Sequence, residues 1–133
     1  MIGGGLVGCE SGLSLAQTGH AVTIIEMLGD VARDANPRHR PALLEQLAAH
    51  TAVRTGLRVT EITPEGVRCA DSAGETVFIP ADTVLCAAGL RPRREVVDAL
   101  RGTAPIVEVI GDCGKPDIIR GATWRGYHAA LDL

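Results

Sequence analysis

The chain has 133 residues, of which 46% are apolar and 22% charged, which fits one soluble α/β domain with enough apolar residues for a core. A net charge of -3 and a content of only one Trp, one Tyr and one Phe argue against nucleic-acid binding. Since the sequence has neither an apolar run of about eighteen residues nor a signal peptide, we expect no membrane partner and a cytoplasmic location.

A glycine-rich turn opens the chain. Gly3, Gly5 and Gly8 have the GxGxxG spacing of a dinucleotide-binding turn between a strand and a helix. In this interpretation Gly3 permits the tight turn, Gly5 leaves room for a pyrophosphate, and Gly8 lets the helix lie close to the sheet. The backbone N–H groups at Leu6 and Val7 then bind the phosphates at the helix N-terminus. The alternative is a glycine turn with a purely structural role.

The next strand is predicted to end in a ribose-binding carboxylate. Apolar residues at helical spacing predict a helix that stops at Gly19, and a β-branched run predicts a parallel strand over 21–25. Glu26 lies eighteen residues after Gly8, where it can accept hydrogen bonds from an adenosine ribose and repel a 2′-phosphate. We therefore predict an NAD(P)H site that prefers NADH. The strand before the glycine turn has only two residues, fewer than the five or so that are usual.

The middle of the chain predicts a second helix and a meander. Pro41 suits the first turn of a helix that ends at His50, and a short strand candidate follows at 53–55. Three strand-like runs separated by turn residues then predict an antiparallel meander over 57–62, 66–69 and 75–80. An apolar run over 83–89 predicts a buried strand. Its last residue, Gly89, either simply ends that strand or lets the backbone approach a nicotinamide or an interdomain hinge.

The cysteines and histidines carry no recognisable site. The four cysteines contain no CxxC pair, so we expect no redox dithiol, no metal site and no iron–sulfur cluster in this chain. The four histidines are dispersed without a carboxylate or hydroxyl partner at motif spacing, and we assign no catalytic residue. Cys9, in the first turn of the first helix, is interpreted as a packed side chain rather than a reactive thiolate.

The order of elements resembles the NAD(P)-binding domain of the two-dinucleotide flavoprotein reductases. More closely, the sequence resembles the C-terminal part of 2-enoate reductases and 2,4-dienoyl-CoA reductases, which are old-yellow-enzyme-like NADH:flavin oxidoreductases. The segments that carry this resemblance are IGGGLVGCE at 2–10, RDAN at 33–36, RPALLE at 40–45 and GLRPR at 89–93. The chain departs from the family pattern in its short first strand and near 51–55, where the usual strand is one residue shorter.

The resemblance implies a fold and a domain organisation. The fold class is α/β, with a Rossmann-like parallel sheet, a three-stranded antiparallel meander and a C-terminal remnant of an FAD-binding domain. Residues 1–88 would form the NAD(P)-binding domain and 89–133 the incomplete FAD-binding segment. In that segment 107–112 would be a strand that returns the chain to FAD, and 122–131 would be the following helix. Asp112 would then contact the ribityl or pyrophosphate part of FAD, whereas the residues alone favour an ordinary turn there.

The resemblance also implies an electron path. Full-length relatives pass a hydride from NAD(P)H to FAD, then electrons through an iron–sulfur cluster to FMN, and reduce an activated carbon–carbon double bond. This sequence contains no barrel domain, cysteine cluster or first FAD glycine motif. We therefore expect a fragment that is inactive alone and presents NADH to FAD. Its partners would be the nicotinamide dinucleotide and the missing FAD and barrel domains, while FMN and the iron–sulfur cluster would belong to upstream domains.

Two alternatives stay open. The chain could be a non-catalytic nucleotide-binding or interaction module, or a truncated product, in which an unpaired apolar edge at 105–112 favours self-association. It could also be part of another flavoprotein of the same superfamily, such as an NADH oxidase or a disulfide reductase.

Overall fold

A computed structural model describes residues 1–132 and divides them into two compact units, Met1–Gly89 and a second that begins at Leu90. Leu133, the last residue of the predicted 89–133 segment, lies outside the described residues. The assignment of 1–88 to NAD(P) binding and of 89–133 to FAD binding stays a prediction. The elements are α1 Leu6–Gln17, β1 Thr23–Ile25, α2 Arg40–His50, β2 Ala52–Arg54, β3 Arg58–Thr63, β4 Gly66–Ala70, β5 Thr76–Pro80, α3 Arg94–Ala99 and α4 Ile119–Leu131, with a 3-10 turn at Gly111–Cys113.

A short parallel sheet forms the centre of the first unit. β1 pairs with β2 in parallel, from Thr23 opposite Ala52 to Ile25 opposite Arg54. On the other side of β1, Ile2 makes parallel bridges to Ile25 and to Cys86. The order across the sheet is therefore the Cys86 segment, Ile2, β1 and β2, and the predicted α/β fold with a parallel Rossmann-like layer is confirmed.

The strand predicted over 83–89 is too long, because only one position of this run pairs with a neighbouring strand. The Ile2 N–H donates to the Leu85 carbonyl at 2.8 Å, and the Ala87 N–H donates to the Ile2 carbonyl at 2.7 Å. These two bonds enclose Cys86, which is the only residue of the run that forms a bridge among the described residues. A ladder needs a neighbour that runs alongside over several residues, and here Ile2 alone fills that place.

The two helices of the first unit pack with the parallel sheet into one core. Its buried residues are Cys9, Ile24, Val31, Ala32, Ala35, Leu43 and Leu47. Burial raises the pKa of the Cys9 thiol, and its Sγ lies 3.3 Å from the Gly4 carbonyl oxygen, to which it donates. The interpretation of Cys9 as a packed side chain is therefore confirmed.

The antiparallel meander is formed as predicted. β3, β4 and β5 lie in that order, with Thr63 opposite Gly66 at the first turn and a bulge between Val59 and Glu61. Gly66 has a φ of +151°, and a Cβ on it would overlap the Ile79 carbonyl oxygen. A second core lies between this meander and the parallel sheet and contains Ile25, Leu57, Val67, Cys69 and Ile79.

The second unit differs from its prediction in three places. The predicted strand at 107–112 is absent: 107–110 has no regular secondary structure, and a 3-10 turn follows at Gly111–Cys113. No described strand of this unit lies beside these residues, so their backbone groups have no ladder to join. α4 begins at Ile119, three residues before the predicted start at Ala122. The short helix α3 was not predicted, although Val96, Val97 and Leu100 recur at helical spacing.

Burial differs sharply between the two units. All twelve buried hydrophobic residues belong to the first unit, whereas none of residues 90–132 is buried. The first unit therefore has the core that can hold a site rigidly.

No helix in the described part of the chain combines the length and apolar character that crossing a bilayer requires.

Replacing Leu47 with Ala tests that core. Leu47 is 1% exposed, and the substitution should lower the free energy of unfolding by about 2–5 kcal/mol because it leaves a cavity. The measurement is urea unfolding followed by far-UV circular dichroism, since the single Trp lies in the second unit. Leu28→Ala is the control, because Leu28 is 45% exposed and should cost less than about 1 kcal/mol. Equal losses in the two variants would show that Leu47 is not a core residue.

Candidate functional site

The glycine turn brings the N-terminal end of α1 against the sheet. Gly3 has a φ of +100°, and a Cβ on it would overlap the Ala87 carbonyl oxygen. A Cβ on Gly8 would overlap the carbonyl oxygen of Gly3 in the same way. The Gly3 N–H donates to the Ile25 carbonyl at 2.9 Å, which ties the turn to the end of β1. These contacts produce the tight turn and the close packing of α1 that the glycine spacing predicts.

Gly5, the middle glycine of the motif, has room for a side chain beside the Asp34 carboxylate. Gly5 is the N-cap residue of α1 and makes no capping bond, because it has no side chain. The nearest atoms to a Cβ built there are the two carboxylate oxygens of Asp34, both 3.9 Å away. The backbone at Gly5 is therefore accessible to a ligand group, as the GxGxxG interpretation requires.

An aspartate that the sequence analysis did not single out lies at this helix N-terminus. Asp34 Oδ1 accepts a hydrogen bond of 2.9 Å from the Leu6 N–H, across 28 residues of sequence. Leu6 is the first residue of α1, and its N–H is one of the amides without a partner inside the helix. The next residue, Val7, has a side chain that is 69% exposed. No local pattern links Asp34 to Leu6, since the contact depends on how the polar loop after β1 folds back.

Glu26 is held by backbone amides at both carboxylate oxygens. Oε2 accepts from the Gly4 N–H at 2.7 Å, and Oε1 accepts from the Leu28 N–H at 2.8 Å. The backbone of Glu26 is fixed as well, because its N–H donates to the Arg54 carbonyl at 2.9 Å and its carbonyl accepts from the Leu57 N–H at 3.0 Å. A carboxylate offers about four acceptor positions, so two remain for hydroxyl donors of a ligand.

These groups line one cleft. Its volume is about 360 Å³, and it is lined by Gly4, Gly5, Glu26, Leu28, Asp30, Arg33 and Asp34. Three of the lining side chains are carboxylates, and one is a guanidinium. Backbone N–H groups are the donors that this lining offers to an anion, together with Arg33. The chemistry of the cleft suits a ligand with hydroxyl groups and a phosphate that binds backbone amides.

The loop between β1 and α2 is anchored beside the glycine turn. The Ala32 N–H donates to the Gly4 carbonyl at 2.7 Å, although Ala32 has an unfavourable φ of 50° for a residue with a side chain. The Arg40 guanidinium donates to Asp30 Oδ2 at 2.6 Å and to the Val31 and Ala32 carbonyls at 2.9 and 3.1 Å. The backbone that carries Asp34 therefore has fixed attachments on both sides.

Of the predicted site residues, only Gly5 and Glu26 line this cleft, and Gly3, Leu6, Val7 and Gly8 form the turn and helix start that carry Gly5. Gly89 ends the first unit with a φ of +92°, two residues after Ala87, which touches Gly3. Asp112 lies in the 3-10 turn of the second unit, and its Oδ1 accepts from the Asp117 N–H at 3.4 Å. The cofactor roles of these two residues stay predictions. The residues that the structure brings together are Gly3, Gly5, Gly8, Leu6, Val7 and Glu26.

One arginine holds the turn that carries Asp112. The Arg125 guanidinium donates to the Gly111 carbonyl at 3.3 Å, to the Lys115 carbonyl at 2.6 Å and to Asp117 Oδ2 at 2.5 Å. The pKa of the Asp117 carboxyl is lowered, first by the hydrogen bond from the Ile118 N–H and then by the Arg125 charge. Arg125 thus fixes the shape of the loop from 111 to 117 from its place on α4.

Comparison with known proteins identifies what the chain is similar to. The family model described as pyridine nucleotide-disulphide oxidoreductase matches residues 1–108. The NADH oxidase of Thermoanaerobacter brockii is 40% identical over 135 positions, which cover 100% of this chain and 21% of the relative. The bilirubin reductase of Mediterraneibacter gnavus (strain CC55_001C) is 38% identical over 133 positions, which cover 98% of this chain and 20% of the relative. The chain thus spans about one fifth of the length of these relatives.

A solved structure agrees with these sequence matches. The complex of 2-naphthoyl-CoA reductase with 2-naphthoyl-CoA matches with a TM-score of 0.82 at 27% identity. The match covers 95% of this chain and 19% of that protein. Both units of the present chain therefore have counterparts within one larger reductase.

Alanine substitutions at Gly8 and Gly5 should lower stability to different extents. A Cβ at Gly8 overlaps backbone that cannot move freely, so Gly8→Ala should lower the free energy of unfolding by about 1–3 kcal/mol or more. A Cβ at Gly5 meets atoms no closer than 3.9 Å, so Gly5→Ala should cost less than about 1 kcal/mol, mainly through the N-cap position. Urea unfolding followed by circular dichroism measures both. A stable Gly8→Ala variant would contradict the close packing of α1.

Proposed function

Because the chain belongs to the pyridine nucleotide-disulphide oxidoreductase family, we propose that its first unit binds NAD(P)H, with NADH preferred, and presents it to FAD. The membership confirms the family predicted from the sequence. The observation that carries the proposal is the position of the Glu26 carboxylate, which Gly4 and Leu28 hold at the end of β1 beside the glycine turn. This is where a ribose-binding carboxylate of a dinucleotide site belongs.

The preference for NADH rests on the charges of the cleft. Glu26 would accept hydrogen bonds from the ribose hydroxyl groups with the acceptor positions that Gly4 and Leu28 leave unused. A 2′-phosphate would instead approach Glu26 and the neighbouring carboxylates of Asp30 and Asp34. Among the described residues of the lining, Arg33 alone is positively charged. Because Arg40 already pairs with Asp30, the charges of Glu26 and Asp34 are set against this one guanidinium, and NADPH should bind more weakly.

The pyrophosphate has a place at the start of α1. Gly5 leaves the backbone open, and the N–H groups of Leu6 and Val7 lie at the positive end of the helix dipole. Gly3 and Gly8 serve this arrangement indirectly, because they bring α1 close to the sheet. The chain then binds the phosphates with backbone groups and needs no lysine.

The second unit is proposed as part of an FAD-binding domain. Asp112 would contact FAD from the turn that Arg125 holds, and Gly89 would approach the nicotinamide or act as a hinge. The bound nicotinamide and flavin supply the hydride-transfer chemistry. This chain supplies binding and orientation, and we assign none of its side chains a catalytic role.

The activity of the whole protein is a wider proposal. We infer that electrons reach FMN through an iron–sulfur cluster in domains outside this chain and reduce an activated carbon–carbon double bond of the enoate or dienoyl type. The relatives have different names: one is an NADH oxidase, named for its electron donor, and two are reductases of different compounds, bilirubin and 2-naphthoyl-CoA. A region that matches all three supports a role on the shared electron-donor side. We place the whole protein in the cytoplasm.

A second candidate is a non-catalytic interaction module. The observation that favours it is the surface of the second unit, where large apolar side chains are exposed and no described residue is buried. Ile119 is 84% exposed, Leu90 74% and Trp124 64%. Such a surface favours a protein partner, which would be the rest of the FAD-binding domain or a second copy of the chain.

Replacing Glu26 with Ala tests the ribose assignment. The variant loses charged acceptors for the ribose, so NADH affinity should fall roughly tenfold or more, and the ratio of NADH to NADPH affinity should move toward one. Isothermal calorimetry with both dinucleotides measures these changes. Glu61→Ala is the matched control, because Glu61 pairs with Arg68 on the exposed meander. If Glu26→Ala bound both dinucleotides as the unsubstituted chain does, Glu26 would not contact the ribose.

Sedimentation velocity tests the exposed apolar surface. The chain should sediment as a mixture of monomer and larger species whose proportion rises with concentration, because apolar contacts favour association. A double variant, Ile119→Glu with Trp124→Glu, should shift this mixture toward monomer. Ile62→Glu is the control, since Ile62 is 52% exposed on the meander of the first unit. A clean monomer at high concentration would argue against self-association.

A further inference from the structure

The carboxylate of Asp34 lies where the proposed site needs a phosphate. Its Oδ1 accepts the Leu6 N–H at 2.9 Å, and both of its oxygens are 3.9 Å from the Cβ position of Gly5. Leu6 and Gly5 are the residues at which the pyrophosphate would meet the backbone. Asp34 and this phosphate group therefore require the same donor and the same space.

The contact has a clear physical cause. A helix leaves its first N–H groups without partners, and an N-cap side chain usually accepts one of them. Gly5 cannot do so, since it has no side chain, and Asp34 takes over this role from a distant part of the sequence. Its negative charge is also favourable at the positive end of the helix dipole.

The geometry allows Asp34 to leave without unfolding the loop. The residue is exposed, whereas Ala32 and Ala35 on either side of it are buried. The Ala32 N–H stays bonded to the Gly4 carbonyl, and Arg40 holds the loop at Asp30. Rotation of the Asp34 side chain into solvent would therefore free the Leu6 N–H while the backbone stays in place.

We propose that Asp34 is an internal competitor for the pyrophosphate, which sets the affinity of the chain for its dinucleotide. In the absence of dinucleotide the carboxylate caps α1, and the dinucleotide binds only after Asp34 has released Leu6. Because a carboxylate and a pyrophosphate that approach the same Leu6 N–H repel each other, the aspartate weakens binding of the dinucleotide. This inference rests on the proposed function, and it assigns Asp34 an affinity-determining role rather than a catalytic one.

The test compares two substitutions at Asp34 with a matched control. Asp34→Asn keeps an oxygen acceptor for Leu6 but removes the charge, and Asp34→Ala removes both. Asp82→Asn is the control, because Asp82 is exposed in the same unit and the substitution changes the net charge equally. We expect Asp34→Asn to bind NADH about fivefold more tightly than the unsubstituted chain in calorimetry, with a smaller difference at high salt. Asp82→Asn should bind as the unsubstituted chain does.

A second measurement separates this inference from the proposed function. Inorganic pyrophosphate is titrated into ¹⁵N-labelled chain, and the amide resonance of Leu6 is followed by NMR. The Leu6 resonance should shift at lower pyrophosphate concentration in both Asp34 variants than in the control. If it does while no form of the chain binds NADH, the competition is supported and the dinucleotide function fails.

The opposite pattern overturns the inference alone. If the unsubstituted chain binds NADH but both Asp34 variants bind NADH and pyrophosphate no more tightly, Asp34 does not compete with the phosphate. If the Leu6 resonance responds to pyrophosphate in no form of the chain and NADH also fails to bind, both proposals are wrong.

Discussion

The close approach of Gly8 to the carbonyl of Gly3 is the constraint on which the candidate site depends. No side chain fits between them, so α1 starts directly against the turn that leaves the sheet. This places the first amides of the helix beside the end of β1, where Glu26 reaches the Gly4 N–H at 2.7 Å. A wider spacing would separate the carboxylate from the glycine turn. The proposed phosphate-binding and ribose-binding groups would then be too far apart for one ligand.

The cleft has a negatively charged lining although its proposed ligand is an anion. Backbone N–H groups explain how such a ligand can still bind. Carboxylates at Glu26, Asp30 and Asp34 repel phosphate, whereas the N–H groups at the start of α1 attract it. The Glu26 carboxylate accepts two amide hydrogen bonds, and the Asp30 carboxylate is paired with the Arg40 guanidinium. Asp34 differs from both, because its bond to Leu6 uses a donor that the proposed pyrophosphate would also need. The electrostatic conflict is therefore concentrated on one exposed side chain.

The parts of the fold that were predictable from sequence are those set by local residues. The glycine turn, α1, α2 and the meander follow from glycine spacing, helical periodicity and turn residues, and all are present. The strand predicted at 107–112 is absent and the one at 83–89 is reduced to a single bridge at Cys86, because a strand is defined by its neighbour as well as by its own residues. Asp34 was missed for a related reason. Its partner lies 28 residues away, and no spacing rule connects an aspartate in a polar loop to the start of a helix.

The second unit shows what local interactions can do without a core. Its order comes from side chains that bind nearby backbone, as Arg125 does at Gly111 and Lys115, and from ring contacts such as that of Trp124 with His128, whose planes are tilted by 53° and whose centroids are 4.2 Å apart. Such contacts are mostly exposed and each contributes little, whereas the free energy of folding comes mainly from apolar burial. The unit keeps its large apolar side chains on the surface. Apolar burial therefore contributes less to the stability of this unit than to that of the first, and the proposed contact with the rest of an FAD-binding domain would add the burial that the unit lacks.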